Sequence, residues 1–450
     1  MKSVPPSHSF LKRLTFQVFP WALFLSCLIV RVCFISRGPY HVDTLNLVMQ
    51  AQATLKDHQV HFLFGFGYPL TVLLAAGFIW AGERLGAADP VLAVNAMSVI
   101  FSSVTVLLTY YTGKALFNAS AGAAGALVLS VSPIFLGLSV YGQSQMPALC
   151  FFMAGMFFLI REHNHHPAGH LFLSACFLGL AGAARIQDAF LLLPALLFVF
   201  FVPPGASGQD PAPPLPALFS RFWFWAGTAL AVAVAFHVPF FLQGNRDVYW
   251  SQLQRFWAAG LTSNYLGVDS SRLLLSGVYL VKSMSEIGVF LSFLGLLALA
   301  RHRRRAAVFL LLWALGPVLF YGNLNTTSTS RFFLPVLPPL CLALGYCWAA
   351  LVRKGKIFLA AGSVVLIVII GLLVQYMLPK LWFRHTTAAL PEYSLWAGRV
   401  TEPNAVIIAG DEALFMMYYS GRETLVRPRS LEVLPEVQLE KFKNAASGAS

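Results

Sequence analysis

Long apolar runs separated by short polar segments fill the chain from residue 16 to residue 378. A helix needs about 20 mostly apolar residues to cross a bilayer core. On that measure the pattern predicts eleven spans, at 16–36, 91–112, 120–140, 146–160, 171–184, 189–202, 222–242, 286–300, 306–321, 332–351 and 357–378. The run 69–82 has only fourteen residues, and counting it as a span would invert every later loop. It predicts instead an interfacial or re-entrant helix inside a long first outer loop, 37–90. A second outer loop, 243–285, places Tyr249, Trp250, Leu253, Phe256 and Trp257 at helical spacing, a face suited to the headgroup layer. Six prolines between Pro203 and Pro216 exclude a regular helix there and mark a linker.

The pattern changes after residue 379. Ala405–Ala409 predicts a buried strand, Asp411–Tyr419 a helix closing at Gly421, and Thr424–Arg427 a second strand. The expectation is an all-α polytopic membrane domain, 1–379, followed by a small extracytoplasmic α/β domain, 380–450.

Composition narrows the class. Hydrophobic residues make up 58% of the 450 and charged residues 11%, too apolar for a soluble core to hide. The formal charge of +13 does not point to nucleic acid, because its basic residues cluster between apolar runs. Lys114, Arg161, Arg221, Arg301, Arg303–Arg305, Arg353, Lys354 and Lys356 fall on one side if the N-terminus is cytoplasmic, as the positive-inside rule requires. With eleven spans the C-terminus is then outside. The first run, after Lys12 and Arg13, lacks a small-residue cleavage site and predicts a retained signal anchor. Six cysteines, at 27, 33, 150, 176, 341 and 347, all sit in apolar runs without metal-site spacing and predict small buried hydrophobes.

The candidate chemistry gathers at the outer boundary. Arg31, Arg37, His41 and Asp43 surround the end of the first span. Arg185 and Asp188 stand between the fifth and sixth spans, and Arg331 opens the tenth. Each has a plainer explanation: snorkelling for Arg31, a solvated loop acid at Asp43, a local ion pair for Arg185 with Asp188, an interfacial anchor at Arg331. Together, one acid and several arginines on one membrane face suit a site that binds phosphate and activates a hydroxyl. Asp57, His58 and His61 have metal-compatible spacing but no matching ligand set, and His163, His165, His166 and His170 crowd a cytoplasmic loop.

Several pieces in order resemble a known group: Tyr40-His-Val-Asp43, Gly67-Tyr-Pro-Leu70, Ser130-Val-Ser-Pro133, Gly179-Leu-Ala-Gly-Ala-Ala-Arg185 and Arg331-Phe-Phe-Leu-Pro-Val-Leu-Pro338. The sequence is similar to the bacterial protein O-mannosyltransferase and lipid A aminoarabinose transferase group of GT-C glycosyltransferases. The resemblance implies a polyprenyl-phosphate sugar as donor and inverting transfer to a hydroxyl of a lipid, glycan or protein. It implies Asp43 as base, and Arg185 and Arg331 as leading phosphate ligands, with Arg31 and Arg37 as further candidates. His41, Gln143, Gln145 and Asp188 become acceptor or supporting residues. No metal or other cofactor is required by a monophosphate leaving group held by arginines. The chain departs from the group in having Thr44 after the loop Asp, Gln143-Ser-Gln145 where an acid often stands, and Arg185 in place of a lysine. A bacterial cytoplasmic membrane, with the site and C-terminus periplasmic, is the implied location. A transporter or lipid flippase, and a non-catalytic polyprenyl-lipid binder, are the alternatives.

The charge map makes a direct prediction. Reporter fusions after residues 114, 161, 210, 303 and 354 should read as cytoplasmic, and those after 60, 265 and 400 as external. An internal signal at 400 would show that the span count is even.

Overall fold

In the helix Pro90–Leu116 (α4), small and hydroxylated residues alternate with branched ones: Ser98, Ser102, Ser103, Thr105, Thr109 and Thr112 are all fully buried. Several return their hydroxyls to carbonyls one turn earlier, as Ser103 does to Val99 and Thr109 to Thr105, both at 2.8 Å. Polar side chains satisfied in this way can line a helix–helix contact. The computed structural model describes residues 7–61, 63, 67–86, 89–165, 168–186, 215–243, 247, 250–251, 254, 270–323, 330–410 and 412–426.

Before α4 come α1 (Ser7–Cys33), α2 (Val42–Asp57) and α3 (Pro69–Arg84). After it follow α5 (Ala119–Val131), α6 (Pro133–Ser139), α7 (Gln145–His165), α8 (Ala168–Ala184) and α9 (Leu215–Leu242). Then come α10 (Ser270–His302), α11 (Arg304–Asn323), a 3₁₀ segment Ser330–Val336, α12 (Leu337–Val352), α13 (Lys356–Thr386) and α14 (Ala389–Val400). The main core joins α4, α5, α7, α8, α12 and α13 through residues such as Tyr110, Leu129, Met153, Ala175, Leu342 and Ile369. Among the described residues five helical stretches are long and apolar enough to cross a membrane: Pro90–Leu116, Leu218–Pro239, Gly277–His302, Ser330–Val352 and Lys356–Val400. Gln17–Cys33, Gln145–Arg161 and Gly169–Ala184 are shorter apolar helices. The chain is a multi-pass membrane protein. The expected span 189–202 and the Pro-rich linker up to residue 214 lie outside the described residues, as do Asp188 and most of the aromatic segment 249–257, while Leu215 and Pro216 already belong to the first turn of α9.

One expected span is broken, and a second break stands at the start of another. The run 120–140 forms α5 and α6, which meet at 64°. Pro133 opens α6 and the preceding Ser132 is extended at ψ 126°, the conformation a following proline favours. The Ser132 hydroxyl donates to the Ser283 carbonyl at 2.8 Å, which fixes the elbow to α10. The second break is in α10, where Ser285 has φ 61°, ψ 164°, a region costly for any residue but glycine. The Ser285 hydroxyl accepts from Gly288 N–H at 3.2 Å and so restarts the helix. The expected span 286–300 begins at this break, while helix extends back from it to Ser270.

The run 69–82 is a helix, α3, packed with α2 and the start of α4 through Leu47, Val48, Val72, Ile79, Val94 and Met97. Past α14, strand β1 (Val406–Ala409) pairs in parallel with β2 (Glu423–Val426), joined by helix α15 (Ala413–Ser420). Gly421 ends α15 at φ 66°, a left-handed cap that glycine adopts without steric cost. Arg422 donates to the Gly398 and Thr401 carbonyls at 2.6 and 2.9 Å, closing the end of α14, and Tyr418 donates to Gln52 of α2 at 3.1 Å. The six cysteines are unpaired; Cys33 is exposed and Cys176 half-buried, because the faces of α1 and α8 that carry them look away from the bundle.

Glycines set the closest approaches. A Cβ at Gly345 would stand 2.2 Å from the Ala121 carbonyl, and one at Gly122 would stand 2.4 Å from that of Tyr110. Gly345→Leu should therefore lower stability in detergent by at least about 1–3 kcal/mol, the usual cost of overpacking. Gly371→Leu, with no atom within 4 Å of its Cβ position, is the control and should leave the melting temperature unchanged.

Candidate functional site

The first loop is held by neutral hydrogen bonds. Asn95 on α4 donates to the Ser36 carbonyl at 2.9 Å and accepts from Gly142 N–H at 2.7 Å. Thr44 donates to the Gly142 carbonyl at 2.6 Å, and Gln143 donates to the Thr44 hydroxyl at 3.2 Å. The Gln143 N–H donates to Ser98 at 3.0 Å. All of these side chains are buried, so each lost partner would leave a polar group stranded. The lattice fastens the start of α2 against α4 and the turn between α6 and α7.

On that platform His41 caps α2: its Nδ1 accepts from the Asp43 N–H at 3.1 Å. Asp43 lies in the first turn, where the helix dipole favours an anion. Its carboxylate is ion-paired with Arg331, which donates to Asp43 Oδ2. Arg331 enters the 3₁₀ segment and its Nη1 lies 3.4 Å from His41 Nε2. Burial holds the His41 imidazole below its ordinary pKa; Asp43 opposes the shift and Arg331 adds to it. With Nδ1 already accepting, neutral His41 carries its proton on Nε2.

Beside this pair lies a cavity of about 430 Å³. Its cations are Lys282, Arg331, Lys380 and Arg384, beside neutral His41, and its apolar wall is Pro133, Ile134, Leu138 and Met377. The broken span thus supplies the wall, since α6 turns away from α5 at the elbow. Arg384 donates to the Gly137 carbonyl at 2.7 Å and stacks 3.9 Å over the Tyr40 ring. Its place depends on Gly137, where a Cβ would press Met377 at 2.9 Å and Arg384 at 3.4 Å.

The remaining sequence candidates are placed as follows. Arg31 is buried and donates to the Cys27 and Ser130 carbonyls, both at 3.1 Å, outside the cavity lining. Arg37 is exposed, and its backbone N–H donates to the Arg384 carbonyl at 3.3 Å. Arg185 is buried, 3.4 Å from the Ser144 hydroxyl, and faces the Phe332 ring at 5.4 Å. Arg331 faces the same ring at 5.3 Å, so Phe332 stands against both guanidiniums. Gln143 is engaged with Thr44, and Gln145 lies 3.4 Å from the Ser144 hydroxyl. The cation beside Asp43 is therefore Arg331, 288 residues away, rather than Arg37. Lys282, Lys380 and Arg384 were not among the sequence candidates. The signal that marks them is sidedness: they are basic residues at the Asp43 end, the same face that carries Arg31, Arg37, Arg185 and Arg331.

Comparison with solved structures settles the architecture. ArnT from Cupriavidus metallidurans bound to undecaprenyl phosphate superposes with a TM-score of 0.64, covering 92% of this chain and 86% of that one at 13% identity. The oligosaccharyltransferase of Archaeoglobus fulgidus, in complex with Zn and sulfate, gives 0.63 over 94% and 66% at 13% identity. The mycobacterial arabinofuranosyltransferase AftD gives 0.51 over 87% and 29%, again at 13% identity. This chain has the GT-C fold. The family described as dolichyl-phosphate-mannose-protein mannosyltransferase matches residues 72–238, less than half of the chain. No curated protein matches it in sequence.

Around Asp43 the described residues assemble no set of donors for a divalent metal. Among the described residues no three His, Cys, Asp or Glu side chains stand together, and the Asp43 carboxylate is engaged by a guanidinium. Thr44 and Gln143, the neighbours that would have to complete a donor set, are neutral and hydrogen-bonded to each other.

The His41 cap can be tested by itself. His41→Ala should cost about 1 kcal/mol of stability, and His41→Asn, which also caps, a few tenths at most. Thermal unfolding of the two variants in one detergent measures the difference; equal losses would show that the cap is not what His41 contributes.

Proposed function

We propose that the protein transfers a sugar from a polyprenyl-phosphate carrier to a hydroxyl acceptor at the extracytoplasmic face of a bacterial cytoplasmic membrane, with inversion. The observation that carries this reading is the Asp43–Arg331 pair at the edge of a cationic cavity with an apolar wall. Such a cavity matches both ends of the donor: cations for phosphate, apolar surface for the first prenyl units. The family match and the ArnT complex support the same donor class.

Asp43 takes the proton from the acceptor hydroxyl as that oxygen attacks the anomeric carbon. The anomeric C–O bond to phosphate breaks and the electron pair leaves with the phosphate. Arg331 and Arg384 stabilise the charge that gathers there, fixed in position beforehand so that no reorganisation is needed. An arginine has five N–H donors and can hold Asp43 and a phosphate oxygen together. Neutral His41 offers its Nε2–H to the same phosphate. Arg185, behind Phe332, steadies the Arg331 side of the site. The small unit β1–α15–β2 stands on the site side of the membrane, docked on α2 through Tyr418.

Asp43→Asn is nearly isosteric and keeps the first-turn position, so insertion and folding should survive. Turnover of a polyprenyl-phosphate sugar should fall by about 10²–10⁴-fold, the usual worth of general-base catalysis. Asp57→Asn and Glu83→Gln, in the same loop, should change turnover less than about twofold if Asp43 acts as base. Equal small effects at all three would remove Asp43 from that role. Vectorial lipid transport without transfer would replace this reading with a transporter.

A further inference from the structure

The cavity carries more positive charge than one donor phosphate can balance. A sugar phosphodiester of a polyprenol has a single negative charge. Arg331 is already matched by Asp43. Lys282, Lys380 and Arg384 remain, and among the described residues no carboxylate pairs with any of them. They come from separate parts of the chain, Lys282 from α10 just before the Ser285 break, Lys380 and Arg384 from successive turns at the end of α13.

How these cations are held sharpens the point. Lys380 Nζ lies 3.5 Å from the centre of the Tyr376 ring, and Arg384 lies over Tyr40 at 3.9 Å and Tyr141 at 5.1 Å. Aromatic faces orient a cation without neutralising it, so its full charge stays available to a ligand. The Nε donors of Arg331 and Arg384 are buried without an acceptor, a costly arrangement unless an anion completes it. Basic residues in a structural ion-pair network would instead be matched by acids. The volume, about 430 Å³, lies in the range of whole-ligand pockets rather than single-ion sites.

We propose that this cavity binds two anionic groups at once, the donor phosphate at Arg331 and Arg384 and a second phosphate-like anion at Lys282 and Lys380. The proposal rests on the reading of the cavity as the donor-phosphate site and adds the charge class of the full substrate set. The second anion has two possible sources: a diphosphate linkage in the carrier itself, or an acidic group on the acceptor.

The test uses the purified full-length protein in detergent and a Lys282→Gln/Lys380→Gln double variant. Each is titrated with undecaprenyl phosphate, with undecaprenyl diphosphate, and with inorganic phosphate after saturation by undecaprenyl phosphate. If the carrier supplies both anions, the diphosphate binds wild type about tenfold or more tightly than the monophosphate, and the double variant loses that preference. If the acceptor supplies the second anion, the two lipids bind alike. Inorganic phosphate then binds the loaded protein saturably, and the double variant weakens it about tenfold. The proposal is overturned if wild type shows neither preference nor a second phosphate, with both lipids weakened by one common factor in the variant. The donor reading itself would still stand, because both lipids bind. Absence of binding by either lipid to wild type overturns that reading and this proposal together.

Discussion

The pairing of Asp43 with Arg331 is the constraint around which the rest of the site is arranged. It joins the first turn of α2 to the 3₁₀ segment before α12, two points far apart in sequence. Both side chains are largely withdrawn from water, at 16% and 18% exposure, so each would be costly there without the other. Such a pair needs its geometry fixed by something else, since Coulomb attraction alone is not directional. The neutral lattice of Asn95, Thr44, Gly142 and Gln143 provides that on the Asp43 side. Phe332, set against Arg331 and Arg185, provides it on the other.

The cavity exists because two apolar runs fail to form straight helices. Pro133 removes a backbone donor and forces Ser132 out of the helical region, so α6 leaves the α5 axis and lines the cavity with Ile134 and Leu138. Ser285 breaks α10 just past Lys282. One hydrogen bond, from Ser132 to the Ser283 carbonyl, ties the two breaks together. Irregular backbone at membrane depth is tolerated only where protein or a cavity satisfies it. Both breaks meet that condition and both face the same site.

What was legible in the sequence follows from this division. Apolar periodicity located the helices, because lipid exposure and core burial both demand hydrophobic residues over a whole turn. Asp43 and Arg331 stood out because charge at a span's edge is conspicuous in such a chain. The elbow at Pro133 was missed, since hydropathy sums over 120–140 without regard to direction. Lys282, Lys380 and Arg384 were missed for another reason. Each lies next to a span end, where an anchoring cation is ordinary, and only the folding of α10 and α13 onto the first loop brings them into one cavity.

The residues that depart from the resembling group acquire a common sense in this geometry. Thr44 and the Gln143-Ser-Gln145 stretch stand where the resembling group often has acids, and here Gln143 donates to the Thr44 hydroxyl, which donates to the Gly142 carbonyl. An acid in place of Thr44 would be buried against the Gly142 carbonyl oxygen and would need a cation beside it. Substituting neutral donors removes that need and leaves Asp43 as the single carboxylate against Arg331.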